Sequence, residues 1–339
     1  MRVDVFSSKG GVGKTTVAYR LARRWAEDKK GPVLLIDADL SGTCLGDLVE
    51  PAALPSWRYQ KNLITLVCGC PEELPELLAP EARPVYKLRL APHGAPQRVI
   101  ANASGPQVLF CPSHAETFLP ASGVQEPVDL AVLQALLGHE SAGGWVGHVI
   151  ESLISVVDNK NDKGVGVLAG TVVDHGPGIG ALQWSQMSAI NAERVEATKK
   201  GRASKRQALF VATRDLVDLA ASQAVNERIV ADSEHPWTAL SDDATWVINR
   251  IPEKWGAASR AAPDAWKTDL KEVLTNSGMG PLPNEKWFLR AWPLFENSQM
   301  GDAYATSGLP AYIEKQGDDE IRAIYEDAMK TDFPGVGAP

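Results

Sequence analysis

Two lysines and three glycines fall within six residues near the start of the chain, Lys9-Gly10-Gly11-Val12-Gly13-Lys14, with Thr15 and Thr16 directly after. Glycines in this pattern let successive backbone N–H groups turn toward one point and approach an anion closely. A helix starting at the same place adds partial positive charge. Lys14 is then placed to reach the β- and γ-phosphates of a nucleotide, and the Thr15 hydroxyl to sit on Mg²⁺. The strict phosphate-loop pattern asks for glycine at position 8, where this chain has Ser8, and it does not ask for Lys9. The bland alternative is a glycine turn that binds nothing, but the strand before it and the helix after it argue against that.

Other residues could share in such chemistry. Asp37 and Asp39 follow the apolar run Val33-Leu34-Leu35-Ile36, and Asp174 ends the apolar stretch from Gly166 to Val173. Carboxylates at the C-terminal ends of buried parallel strands stand where ligands bind in open α/β sheets. Taken alone, Asp37-Ala38-Asp39 reads as a polar turn; beside a phosphate loop the functional reading prevails. His175 follows Asp174 and reads as a turn residue without chemistry. Cys68-Gly69-Cys70-Pro71 offers two thiolates to a soft metal, which is half a ligand set. Those cysteines are equally readable as small apolar residues. Arg194, Lys199, Lys200, Arg202, Lys205 and Arg206 make the one dense basic run, either a DNA contact or a solvated loop.

The elements that must position these residues follow from periodicity. Val3 to Phe6 reads as a strand, and Val17, Leu21 and Trp25 recur at helical spacing after the glycine loop. Val33–Ile36, Gln107–Pro112, Ala208–Ala212 and Thr245–Arg250 read as buried strands; 145–160, 215–221 and 318–330 read as helices. Strands alternating with helices predict a doubly wound, mostly parallel sheet with helices on both faces, in one domain spanning 1–339. Two stretches break the alternation. Residues 51–106 carry nine prolines, and 251–291 carry Trp255, Trp266 and Trp287 just after Trp237 and Trp246. Both read as insertions, the first either a partner-binding segment or an embellishment, the second as core packing.

Bulk composition narrows the class. A net charge of −8 argues against a surface coated for nucleic acid, although a local basic patch stays open. An apolar share of 44% fits a globular chain, and no run of eighteen apolar residues suggests a membrane span. The start enters a strand directly, so no secretory leader is expected. Four cysteines are too few for a disulfide scaffold, which points to the cytoplasm.

Together, Lys9–Thr16, Asp37-Ala38-Asp39-Leu40, the Asp174 segment with Pro177 and Gly178, the strand and helix of 208–221, and Val247-Ile248-Asn249-Arg250 resemble the ParA/MinD family of deviant Walker A P-loop ATPases. The middle motif also resembles that of some bacterial tyrosine kinases, which lack the extra lysine. The resemblance implies an ATP hydrolase that uses Mg²⁺ and dimerises around two nucleotides, with Lys9 crossing to the partner's nucleotide. It implies that Asp39 positions the attacking water, and that Thr15, Asp37 and Asp174 lie at or near the metal. Gly176 or Gly178 would sense the γ-phosphate. Gly10 to Thr16 would bind phosphate, and Asn249, with Arg250, would read adenine. Pro293 and Phe295 would sit in a closing base-binding loop, with Gly308-Leu309-Pro310 after it. The cargo stays open: DNA-associated positioning or partition through Arg194–Arg206, a metal or client carrier through Cys68 and Cys70, or a regulatory module of low turnover. The acidic outer face of the last helix speaks against membrane docking.

Overall fold

The computed structural model describes residues 1–29, 31–40, 45, 61–88, 107–113, 139, 141–158, 167–202, 204–231, 244–252, 265–276, 291–296 and 319–329. Trp237, Trp255, Trp287, the segment 308–310, half of the first insertion and most of the second lie outside them.

The strands are β1 (Arg2–Phe6), β2 (Val33–Ala38), β3 (Tyr86–Leu88), β4 (Val108–Cys111), β5 (Gly170–His175), β6 (Arg206–Thr213), β7 (Thr245–Pro252) and β8 (Trp292–Glu296). They form one sheet in the order β3-β4-β2-β5-β1-β6-β7-β8. All neighbours run parallel except the edge strand β3, which is antiparallel to β4. The central strands β1, β2 and β5 are buried at every residue, as expected where helices cover both faces.

One face is covered by α1 (Lys14–Lys29) and the last helix, α8 (Asp319–Ala328). Val17, Leu21, Trp25, Ile321 and Ile324 close over Val3, Val5, Leu35 and Val172. Tyr325 tilts against Trp25 and donates to Asp28 at 3.0 Å, while Trp292 and Thr245 donate to Asp327. The apolar stripe expected of the last helix therefore packs on the sheet.

The opposite face carries two separate cores. One, under α5 (Ala181–Lys199), α6 (Leu216–Ala231) and α7 (Ala265–Asn276), holds Phe6, Met187, Ile190, Phe210, Trp246 and Trp266. Trp246 stacks on Phe210 at 4.6 Å, so two of the five tryptophans in that region are core residues. The other, under α4 (Ala142–Val157), holds Leu34, Ile36, Leu109, Val149, Leu153 and Val173. The described half of the first insertion joins it: α2 (Leu63–Cys68) is capped by Asn62 and buries Leu63, Leu66 and Val67, α3 (Leu74–Leu77) follows, and β3 extends the sheet.

Two expectations change. Residues 292–296 are a strand paired with β7, not a loop. Position 293 is tolerable for proline because β8 is the sheet's outer strand, where a missing N–H need not break a ladder. The basic run is not one loop: Arg194 to Lys199 lie within α5, and Arg206 opens β6.

Candidate active site

The order β2-β5-β1 sets side by side three strand ends that are far apart in sequence. In register, Asp37 stands opposite Asp174, and Val5 stands opposite Asp174 from the other side. The glycine loop leaving β1 therefore lies next to both carboxylate segments, as the rule for ligand sites in parallel sheets requires.

The loop is held in shape from several directions. Val12 is buried in the core beneath it. Gly11 and Gly13 have φ of 74° and 88°, and a Cβ on Gly13 would stand 2.2 Å from the Asn249 amide nitrogen. Both backbone freedom and space thus demand glycine at 13. Ser8, standing where the strict pattern has glycine, donates to Asp218 at 3.0 Å and shares a hydrogen bond with Ser222 at 3.1 Å. Asp218 in turn accepts from the Thr213 N–H and hydroxyl, fixing the loop's start to the β6–α6 turn. Lys14 opens α1, with Thr15 and Thr16 half-buried in the first turn.

The Lys14 ammonium lies 2.5 Å from Asp174 Oδ1, and both side chains are buried. The other Asp174 oxygen, Oδ2, is buried and accepts no hydrogen bond among the described residues. Asp37 accepts from the Asp39 N–H at 3.1 Å, the Leu45 N–H at 2.8 Å and the Ser113 hydroxyl at 3.0 Å. Burial, reinforced by the charge of Asp174, pushes the Asp37 pKa up to about 7. A Cβ built on Gly176 would stand 3.1 Å from Asp39 Oδ1, so the turn after β5 runs beside that carboxylate with room for little more than a glycine. Gln183 holds the same turn, accepting from the Gly180 N–H. Gly178, with φ of 84°, donates its N–H to the Ser7 carbonyl at 3.1 Å.

The far lip of the loop is closed by β7. Asn249 donates to the Val12 carbonyl at 2.8 Å and accepts from the Arg250 N–H. Arg250 has φ of 60° and donates to the Gly11 carbonyl at 2.7 Å. Asn249 and Arg250 are therefore at the site, with their side-chain donors on the loop backbone. Phe295, expected beside the base, packs instead against the core of Phe210 and Trp246, and Pro293 pairs in register with Ile248. Lys9 is half-exposed, 3.9 Å from an equally exposed Asp215.

The family model for the CobQ/CobB/MinD/ParA nucleotide binding domain matches residues 4–258. The chain belongs to the ParA/MinD family. One solved structure agrees in fold, and two others are similar over nearly the whole chain. The ATP complex of McdA from Cyanothece is 16% identical, with 96% of this chain and 95% of that chain covered and a TM-score of 0.50. The cell division ATPase MinD of Pyrococcus furiosus is 19% identical over 96% and 97%, with a TM-score of 0.48. MinD of Pyrococcus horikoshii complexed with Mg-ADP is 18% identical over 97% and 96%, with a TM-score of 0.46. A search of curated protein sequences finds no match.

Elsewhere this ParA/MinD chain corrects the sequence reading. Arg194 is buried in α5 and donates to Gln207 at 3.2 Å, and Arg206 is largely buried between Asp4 and Glu151. Only Lys199, Lys200, Arg202 and Lys205 remain as an exposed basic group, and Lys200 pairs with Glu196. Cys68 and Cys70 are exposed at the end of α2, and Cys70 donates its N–H to Glu73. Among the described residues no cluster of three or more His, Cys, Asp and Glu side chains forms a metal cage, and no helix is long and apolar enough to cross a membrane.

His175 is the residue that sequence reasoning missed. It is not a turn residue but the last residue of β5, wholly buried, stacked on Phe6 at 4.5 Å, with Nε2 2.8 Å from Asp4 Oδ1. The signal was present in β1, where Arg2 and Asp4 alternate with Val3 and Val5. A carboxylate in a central strand has to be paired.

Proposed function

We propose that the chain is a Mg²⁺-dependent ATPase that dimerises on ATP and uses that dimerisation as a switch. The observation that carries this reading is the Lys14 ammonium at 2.5 Å from Asp174, beside Asp37 and Asp39 and under a glycine loop at the C-terminal strand ends. Lys14 and the N–H groups of residues 10–16 bind the β- and γ-phosphates of ATP. Asp39, against the backbone of Gly176, orients the water that attacks the γ-phosphorus; the bond to the bridging oxygen breaks, leaving ADP and phosphate. Such a reaction needs positioning and charge neutralisation more than covalent catalysis.

The residues fit the metal. Asp174, paired with Lys14, has a buried oxygen that accepts no hydrogen bond among the described residues, and Asp37 beside it is pushed toward protonation by burial and by the charge of Asp174. Two carboxylates beside a phosphate loop suit Mg²⁺, which takes one or two carboxylates and completes its shell with phosphate and water. Thr15, Asp37 and Asp174 would hold it, and it would supply positive charge to the phosphates.

Lys9 is available to a second copy, since an exposed pair with Asp215 holds it only weakly. Asn249 and Arg250 set the base-side lip of the site. The reading extends to one ATPase domain over 1–339 with insertions at 51–106 and 251–291. Its role is intracellular positioning or partition in the cytoplasm, with a protein or DNA as partner; Lys199, Lys200, Arg202 and Lys205 are the cations left for DNA.

The test is ATP hydrolysis in Mg²⁺ across a series of protein concentrations. Wild-type specific activity rises with concentration. Lys14→Ala loses roughly 1.5–3 kcal/mol of binding, or 10- to 100-fold in affinity, and all turnover. Lys9→Ala binds ATP but loses the concentration dependence. Unchanged ATP affinity in Lys14→Ala would sink the reading.

A further inference from the structure

Asp174 and His175 are neighbours on β5 and point to opposite faces of the sheet. Asp174 faces Lys14; His175 faces the seam between the two cores under α4 and α5. There its Nε2–H donates to Asp4 Oδ1 at 2.8 Å, and its ring lies parallel to Phe6 within 5°. Asp4 is completely buried. Arg2 lies 2.5 Å from its Oδ1, and Arg206 lies 3.5 Å from its Oδ2. Both arginines reach on to Glu151 of α4, and Arg2 also contacts Gln186 of α5 at 3.4 Å. Gln186 in turn donates to the Gly143 carbonyl at 3.2 Å. The cluster therefore ties β1, β5, β6, α4 and α5 together at one point.

That point is one residue from the site on either side. His175 follows the carboxylate that meets Lys14 and precedes Gly176, where an added Cβ would come within 3.1 Å of Asp39. We propose that His175 is a positioning residue for ATP hydrolysis: its hydrogen bond to Asp4 fixes the 174–176 backbone, and with it the Asp174 carboxylate on Lys14 and the turn that runs beside Asp39. The inference rests on the ATPase reading for its kinetic arm only. A side-chain tether suits this segment because Gly176 and Gly178 bring no side chains of their own to hold the turn. Arg2 and Arg206 keep Asp4 charged and fixed, so His175 bonds to a rigid acceptor and the imidazole cannot drift with the turn.

The test compares His175→Ala with His175→Gln, whose amide nitrogen can stand where Nε2 stands. ATP affinity in both stays within about threefold of wild type, because neither touches the phosphates. In His175→Ala, kcat falls on the order of 10- to 100-fold, the size of effect a misplaced reacting group produces. His175→Gln recovers most of it. Amide hydrogen exchange over residues 176–183 is faster in His175→Ala and near wild type in His175→Gln. Equal kcat and equal exchange in the two variants would overturn the proposal, since the ring alone would then matter. So would a His175→Ala in which affinity, melting temperature and kcat fall together, which marks a purely structural role. Should wild type hydrolyse no ATP, the ATPase reading fails, and the exchange contrast still decides whether the Asp4 bond fixes the turn.

Discussion

Two clusters of buried charge share the central strands, and they differ in balance. On the α1 face, the Lys14 ammonium meets Asp174, which stands in register with a second buried carboxylate, Asp37. On the α4–α5 face, Asp4 and Glu151 meet Arg2 and Arg206, with His175 kept neutral by burial despite its bond to Asp4. The second cluster has its counter-charges built in, and it closes the seam between two apolar cores. In the first, Lys14 pairs with Asp174, while burial and the charges of Asp174 and Asp39 push Asp37 toward protonation. Burying charge is costly unless it is paired. The imbalance around Asp37 supports the proposal that the first cluster is the binding site.

Breaking the balanced cluster has the largest effect. Asp4→Asn leaves two buried guanidinium groups without their shared carboxylate and costs about 3–5 kcal/mol at pH 7, the range for removing one partner of a buried pair. Burial alone would raise the Asp4 pKa, but Arg2, Arg206 and His175 outweigh it and hold the carboxyl well below its ordinary value. The sign follows: stability from Asp4 is full above the unfolded pKa, near 3.8, and is lost as pH falls toward the folded value. Melting curves at pH 7 and pH 3.5 show a wide gap between wild type and Asp4→Asn at the higher pH and a narrower one at the lower. A gap that widens in acid would mean that Asp4 is not held ionised.

The unbalanced cluster should answer with the opposite slope. Asp37 has a folded pKa of about 7, above its ordinary 3.8, so the folded chain keeps a proton that the unfolded chain releases. Its stabilising share is present at low pH and is lost as pH rises through 7. Between pH 5.5 and 8.5 the stability of wild type relative to Asp37→Asn falls by about 2 kcal/mol, read by denaturant melts without nucleotide. A difference that does not vary with pH would show that Asp37 is ionised throughout and that the two clusters are alike in balance.

How far the two clusters are legible in the sequence differs for the same physical reason. Lys14 is legible because phosphate chemistry fixes residue types at short spacing in the glycine loop, and Asp37 and Asp174 because each stands at the end of an apolar run that has to be a buried strand. The pairing of His175 with Asp4 spans 171 positions and depends on β1 and β5 being neighbours, which local periodicity cannot report. Counting cations also misleads. Arg194 shares a helical stripe with Met187, Ile190 and Ala197, so the 3.6-residue period places it inside while the charge run places it outside. Residues 292–296 read as a loop only through the family resemblance, whereas they form the edge strand β8, where Pro293 is tolerated. The stripe of α8 is plain in the sequence because Ile321, Ile324, Tyr325 and Ala328 repeat at helical spacing without a competing signal.

The smallest effect tests where the balanced cluster ends. Glu151 accepts from Arg2 and lies 3.1 Å from Arg206, yet its own side chain is 51% exposed. Water and salt screen a pair of that kind, so Glu151→Gln costs only about 0.2–1 kcal/mol, far less than Asp4→Asn, although both remove one carboxylate from the same two arginines. The cost also shrinks as salt is raised from low to 1 M, where exposed charges beyond about 3 Å are screened. Arg2 and Arg206 retain Asp4 as a buried partner, and the amide oxygen that Glu151→Gln introduces can still accept a hydrogen bond from either of them. Melting of Glu151→Gln at low and high salt decides the point. A loss as large as that of Asp4→Asn, unaffected by salt, would move the boundary of the buried cluster outward to include α4. A small, salt-sensitive loss leaves Asp4 as the one carboxylate on which the arginines and His175 depend.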